Sequence, residues 1–287
     1  MGLSAPLHPM ISLIDFEDIH PKEARVAKKM ILNFYTVAIK RDFNGKFKYG
    51  QKYYDFDEGV MSFIAPGQLL EENVDHTDPI NGWLLVFHPD FLRGYKLDKN
   101  IKKFGFFSYA LNEALYVSEA EEKIIENTIK SIENEYKLPI DLYSQDVMIS
   151  FLEVLFNYCN RFYNRQFITR KHVNIDLLSQ LEDLLEFYFA SNAPQIDGVP
   201  TVRFVADRLN VSPNYLSDLL KSLTGKTTLQ HIHLSLIAKA KEYLSTTELT
   251  VSEISFLLGF EHSQSFGKLF KNKTNLSPLG FRKTFIN

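Results

Sequence analysis

The chain holds a single cysteine, Cys159, among its 287 residues. No internal disulfide can form, which excludes a disulfide-stapled secreted scaffold. Cys159 falls in an apolar helical run and reads as a buried structural thiol. No run of 18 apolar residues occurs, so no membrane-crossing helix is expected. The first thirty residues lack a basic start followed by an apolar stretch, the pattern of a secretory leader, and the expected location is the cytoplasm. A glycine-rich phosphate cradle and a recognisable nucleophile–base pair are both missing, and no enzyme is expected. Histidine is sparse where strands are expected: His76, in a polar loop, and His88, twelve residues on. The one His-x-His, His231 and His233, falls on an expected helix, where residues two apart do not share a face. No metal and no cofactor are expected.

What is present is a large apolar complement. Hydrophobic residues make up 45% of the chain and Phe plus Tyr number 38, enough for a packed core and too many for disorder. The length suits two domains of ordinary size. Net charge is −3 but is unevenly placed. From Ile196 onward there are 11 basic against 7 acidic residues, and the remainder is correspondingly acidic. A C-terminal part able to approach polyanions is implied, although extending it back to Asn174 cancels the excess.

The first hundred residues alternate and are rich in aromatic and β-branched types: MILNFYTVAIK (30–40), KFKYGQKYYDF (46–56), GVMSFIAPG (59–67) and GWLLVFH (82–88). They predict antiparallel strands in a small barrel or sandwich. Ser118 with Glu121 forms a capping box before a helix reaching about Tyr136. A second helix, roughly Leu142 to Phe162, is apolar over much of its circumference. It must be covered on more than one side, either by the sheet alone or in part by a second subunit. The stretch QFITRKHVN (166–174) reads as turn-rich and as a boundary. The rest reads as helical: LLSQLEDLLEFYF (177–189), a loop SNAPQIDGVP (191–200), and then two similar segments.

VRFVADRLNVSPNYLSDLLKSLTGKT begins at Val202 and VSEISFLLGFEHSQSFGKLFKNKTNLS at Val251. Val202, Val205, Ala206 and Leu209 match Val251, Ile254, Ser255 and Leu258 at an offset of 49. After one extra residue, Leu216, Leu219, Leu220 and Lys221 match Phe266, Leu269, Phe270 and Lys271 at 50. Each unit is a short helix, a tight turn and a second helix, the helix-turn-helix pattern. Asn210 and Gly259 occupy the turns, where left-handed backbone favours them, and Ser212–Pro213 is a cap and first-turn pair. At 100° per residue the second helices bury Leu216, Leu219 and Leu220, and Phe266, Leu269 and Phe270. They expose Asn214, Ser217, Asp218 and Lys221 in the first unit, and Gln264, Gly267, Lys268 and Lys271 in the second, with Ser265 on the flank. Amides read adenine edges, hydroxyls adapt to donor or acceptor, and lysines reach guanine or phosphate. A solvated helix face would instead be dense in Glu–Lys pairs. These faces predict contact with double-stranded DNA. A helix between the units, about Leu229 to Leu244, would hold the two reading helices apart, and a spacing of about 34 Å would place them in successive major-groove segments.

At this point the residues resemble a known family. GFEHSQSFGKLFKNKTNLSPLGFRK and VADRLNVSPNYLSDLLK are similar to the double helix-turn-helix of AraC/XylS-type bacterial transcription regulators, over about the last 110 residues. The resemblance implies that both second helices enter the major groove and adds Ser263 to the DNA-facing set. It also tilts towards activation. Asp218 stands where the family often carries Arg; it is open to accepting from a cytosine amine, pairing with Lys221, or weakening phosphate contact, so the first unit is expected to read DNA less strongly. Asn275 replaces the usual Gly before Ser277–Pro278, and Asn tolerates the left-handed backbone there. MSFIAPGQ with WLLVFHPDFL looks like the cupin-type effector-binding and dimerisation half of such regulators. The expected architecture is therefore α+β: a cupin-like barrel with helices over 1–170 and an all-α DNA-binding domain over 174–287. The expected partners are DNA, a second copy of the chain and a small-molecule effector in a pocket lined by Phe63, Trp83, Phe87 and His88, with no membrane. A regulator without a small-molecule ligand is the alternative, and a cupin-type metal enzyme a remote one, since clustered histidines are lacking.

Overall fold

The structure is a computed structural model that describes residues 5–19, 29–41, 47–49, 52–54, 59–71, 81–110, 113–169 and 171–285; His76 lies outside them. The chain divides into two compact units, residues 1–169 and 170–287.

Among the described residues, nine strands lie in the first unit: β1 (Ile11–Asp15), β2 (Lys29–Ile31), β3 (Tyr35–Arg41), β4 (Phe47–Tyr49), β5 (Lys52–Tyr54), β6 (Gly59–Ile64), β7 (Leu69–Glu71), β8 (Asn81–Phe87) and β9 (Leu115–Val117). Five make one antiparallel sheet in the order β1-β8-β3-β6-β9, and β2-β7 and β4-β5 form two-stranded pairs. The period-2 pattern sets the faces. Val37 and Ile39 of β3 lie opposite Leu85 and Trp83 on one side and Phe63 and Met61 on the other. That row, with Phe87 and Leu115, forms the core face, and all of these but Trp83 are buried.

Among the described residues the unit also holds α-helices α1 (Lys96–Asn100), between β8 and β9, and α2 (Glu119–Lys137) and α3 (Ser144–Thr169), after β9. The expected capping box opens α2: the Ser118 hydroxyl accepts from the Glu121 N–H and Glu121 accepts from the Ser118 N–H. Leu152, Leu155, Phe156, Cys159, Phe162, Tyr163 and Phe167 of α3 are buried. Phe156 packs on Phe87, Phe104, Phe106 and Phe107, and Tyr163 on Phe63, Phe106 and Tyr109. The helix also packs on α2 and β9, which accounts for its wide apolar circumference. Burial pushes the Cys159 thiol far above its ordinary pKa, as for an inert interior thiol. The last turns of α3 fasten the edge strand: Gln166 accepts from the Tyr116 N–H and donates to the Ala114 carbonyl, and Arg165 donates to the Tyr116 carbonyl.

The second unit is all helical: α4 (Lys171–Ala190), α5 (Ala193–Asp197), α6 (Val202–Arg208), α7 (Pro213–Thr224), α8 (Thr228–Thr246), α9 (Val251–Leu257), α10 (Ser263–Thr274) and α11 (Pro278–Lys283). The α+β architecture is the expected one, with an antiparallel sheet in the first half and helices in the second. Two local readings are corrected. The stretch 166–174 is not turn-rich: α3 runs to Thr169 and α4 starts at Lys171, because the apolar spacing through Phe167 outweighs the polar composition. The loop at 191–200 contains α5, started by Pro194 in its first turn, where proline costs no hydrogen bond.

A single core unites this unit. Leu181, Leu185, Tyr188 and Phe189 of α4 are buried with Val205, Leu216, Leu220, Ile254, Phe266 and Phe270. They close around Ile232, Leu236, Ile237, Ala240 and Leu244 of α8. Helix α8 packs against α4, α6, α7, α9 and α11, so it is the axle of the unit.

Candidate nucleic-acid interface

The two helix-turn-helix units superpose bond for bond in their turns. In the first, the Leu209, Asn210 and Val211 N–H groups donate to the carbonyls of Val205, Asp207 and Ala206 at 3.1, 3.2 and 3.1 Å. In the second, Leu258, Gly259 and Phe260 donate to Ile254, Phe256 and Ser255, all at 3.0 Å. Each turn pivots on a left-handed residue, Asn210 with φ 55° and Gly259 with φ 87°. Both second helices end alike, with Gly225 and Asn275 left-handed and donating to Lys221 and Lys271. Asn275 at φ 63° keeps the turn expected of it.

The two second helices differ at their starts. Ser212 caps α7 by accepting from the Tyr215 N–H. The N-cap of α10 is His262, whose side chain makes no capping bond.

Asn214 and Lys221 of α7 are exposed, and Ser217 and Asp218 are half-buried. Ser263, Gln264, Ser265, Lys268 and Lys271 of α10 are exposed along one side, while Phe266 and Phe270 are buried on the other. A Cβ at Gly267 would meet nothing within 4 Å, so this face is open for close approach. Lys268 and Lys271 pair with no carboxylate among the described residues. Helix α10 carries three lysines and no acid, whereas α7 carries Lys221 offset by Asp218. Helix α10 is therefore the more positive of the two.

The connecting helix α8 adds two side-chain contacts to α7, through Thr228, which the sequence alone does not single out, and His231. The hydroxyl of Thr228, which has no exposed surface, lies 3.0 Å from that of Ser217. His231 Nε2 lies 2.9 Å from Thr224 Oγ1, which also donates to the Leu220 carbonyl. At the offset of 50, Thr228 stands where the second unit has Pro278. His231 and His233 do not converge on a metal, and no cluster of three ligating side chains occurs among the described residues. Both rings are held below the ordinary histidine pKa, first by burial, then by Lys226 for His231 and Lys273 for His233.

In the first unit, Phe63 and Phe87 are buried among Tyr35, Phe106, Phe107, Phe156 and Tyr163. Trp83 is half-buried on the same face. His88 Nδ1 accepts from the Asp90 N–H at 3.2 Å and its ring meets Phe34 edge-on, so it caps the turn after β8. Among the described residues, no helix is long and apolar enough to cross a membrane.

Two helix-turn-helix units sharing one core and joined by one rigid helix define a double helix-turn-helix DNA-binding domain. Comparison with known proteins agrees. A helix-turn-helix domain family matches residues 205–284. The Msm operon regulatory protein of Streptococcus mutans is 33% identical over 86 residues, covering 30% of this chain and 31% of that protein. The transcriptional activator RhaS of Escherichia coli is 33% identical over 79 residues, 28% of each chain. The chain thus matches less than a third of the length of these relatives. Among solved structures, ToxT of Vibrio cholerae aligns over 95% of this chain and 98% of its own, at 14% identity and a TM-score of 0.31. Residues 205–284 thus form a helix-turn-helix domain, and it is in this part that the chain is similar to these transcription regulators.

Proposed function

We propose that the protein is a sequence-specific transcription regulator in which α7 and α10 read adjacent major-groove segments of one duplex. The observation that carries this reading is the duplicated unit itself. Its two turns share the same hydrogen bonds, and its two second helices each bury one side and leave amides, hydroxyls and lysines on the other. Helix α8, 19 residues long, spans roughly 28 Å, which suits two readers on one face of B-form DNA. On this reading Asn214, Ser217, Asp218, Ser263, Gln264, Ser265, Gly267 and Lys268 meet base edges or the groove floor. Lys221 and Lys271, in the last turns, meet phosphate. Activation is the favoured sense of regulation, in line with RhaS, itself a transcriptional activator.

The sheet unit is assigned to effector binding and self-association. Thr36 is buried on the sheet face opposite the aromatic core, and its hydroxyl has no partner among the described residues; a ligand-binding wall uses such a group to orient its guest. A recess beside β1, lined by residues including Met10, Ile14, Phe34, Val86 and Tyr136, is a second place for a small apolar molecule. Leu138, Ile140, Leu142 and Tyr143, between α2 and α3, are exposed together. They continue on α3 with Val147 and Val154, and such a patch marks an interface; a second copy of the chain is assigned to it. Selection of bound DNA fragments by the full-length protein, with and without a metabolite library, tests the function. Enrichment of one bipartite motif supports it, and recovery of random fragments refutes it. Sedimentation of the full chain and of its Leu142→Lys variant tests the dimer, which requires the variant to shift towards monomer.

A further inference from the structure

Ser217 belongs to the outward side of α7, and Thr228 is the first residue of α8. Their hydroxyls are 3.0 Å apart. Neither has another hydrogen-bond partner among the described residues. Neither bonds back to its own helix, in contrast to Thr224 and Thr274, which donate to the carbonyls four residues earlier.

Two facing hydroxyls share one bond, so one of their two protons points elsewhere. The two arrangements are unequal. If Ser217 donated, the Thr228 proton would remain in the interior with no acceptor, and an unmet buried donor carries the full desolvation penalty. If Thr228 donates, the leftover proton is that of Ser217, which is half-exposed and can meet solvent or a ligand. A hydroxyl that already accepts a bond is also polarised to donate more strongly.

We propose that Thr228 donates to Ser217 and thereby sets Ser217 as a hydrogen-bond donor towards DNA. Thr228 is then a specificity-determining positioning residue that never touches the duplex. The proposal rests on the reading of α7 as a groove-facing helix. In the major groove, guanine, adenine and thymine each offer an acceptor (O6 and N7, N7, and O4), whereas cytosine offers only its amine. Ser217 keeps one lone pair for an amine, but only an acceptor edge uses its aimed proton, so guanine, adenine and thymine are preferred over cytosine there. The second unit carries Gly267 and Pro278 at the corresponding positions, offset by 50, so it has no such hydroxyl pair and serves as an internal control.

The test is selection of bound DNA fragments with the full-length protein, T228V, Thr228→Ser and S217A. T228V keeps the buried shape and removes the donor. Wild type should disfavour cytosine at one position of the segment read by the first unit. T228V should admit it, raising its relative binding there by about three- to tenfold, the size of one ordinary hydrogen bond. S217A should relax the same position, the double variant no further than either single, and Thr228→Ser should keep the preference. The segment read by the second unit should not change in any variant. Thr228→Ala replaces T228V if the latter fails to fold. An unchanged profile for T228V and Thr228→Ala beside a relaxed one for S217A overturns the role of Thr228. An equal loss on all sequences does so as well. A wild-type protein that enriches no sequence overturns the groove-facing assignment of α7 itself, and the proposal with it.

Discussion

Gly259 is seated directly against Gly198. A Cβ at position 259 would lie 2.6 Å from the Gly198 carbonyl carbon and 2.7 Å from the Pro194 carbonyl oxygen. The turn of the second helix-turn-helix unit is thereby nested on the segment that joins α5 to α6. At φ 87° the position is strained for any side chain, even with room to spare. Gly259→Ala should destabilise the helical unit by about 2–4 kcal/mol, combining left-handed strain with a backbone clash. The corresponding turn residue of the first unit already has a side chain, so Asn210→Gly should shift stability by less than about 1 kcal/mol. Urea unfolding of the full-length variants, followed through the helical signal, separates these outcomes.

Gln264 and Lys271 sit one above the other on the exposed side of α10 but should fail in different ways. Gln264→Ala should relax preference at one base pair and cost about 1–3 kcal/mol on the preferred site. Lys271→Ala should weaken binding to every sequence and reduce the slope of log affinity against log salt by about one. Binding isotherms on a selected and a scrambled duplex, at three salt concentrations, distinguish the two. Matching, salt-independent losses would contradict the assignment of roles.

Helix α4 belongs to the core of the DNA-binding unit, since Leu181, Leu185, Tyr188 and Phe189 are buried in it and the Tyr188 hydroxyl donates to the Gly198 carbonyl at 2.8 Å. A fragment of residues 170–287 should therefore fold, whereas one of residues 198–287 should not, having lost the cover over its core. Circular dichroism melting of both is the check. The longer fragment should bind DNA more weakly than the full chain, because a dimer gains from effective concentration. Equal affinity would argue against self-association.

His231 and His233 are both held below the usual histidine pKa, chiefly by burial. The unfolded chain then binds protons more readily than the folded one. The stability these rings contribute is complete above about pH 6.5 and is lost as pH falls through that value towards their lower folded pKa values. Glu182 pulls His231 the other way, so the His233 contribution should be the cleaner of the two. The urea midpoint of the helical unit should fall between about pH 7.5 and pH 5.5, and His231→Gln with His233→Gln should flatten that fall. A wild-type midpoint independent of pH across this window would refute the mechanism.

The double unit was legible in the sequence because its signals are local. Asn210, Gly259, Ser212–Pro213 and the Ser118–Glu121 box each act within about four residues, through backbone φ or a first-turn N–H, and their local chemistry is enough to identify them. The outward face of α10 was legible for a related reason, since Phe266 and Phe270 set the helix phase and their partners do not alter it. Other features depended on which elements meet. The sheet order β1-β8-β3-β6-β9 joins strands far apart in the chain, and alternation states which face is apolar without stating which strand lies beside it. Alternation alone marks Phe63 and Phe87 as inward-facing without naming their neighbours, and it is the fold that packs Phe106 on Phe63 and Phe156 on Phe87. Polar composition at 166–174 suggested a turn, but tertiary cover over Phe167 keeps the chain helical on either side of residue 170. Thr228 reads in sequence as an ordinary first-turn residue. Only the packing of α8 against α7 buries its hydroxyl and brings Ser217 within 3.0 Å, because burial is a property of the space between elements and not of the residue that fills it.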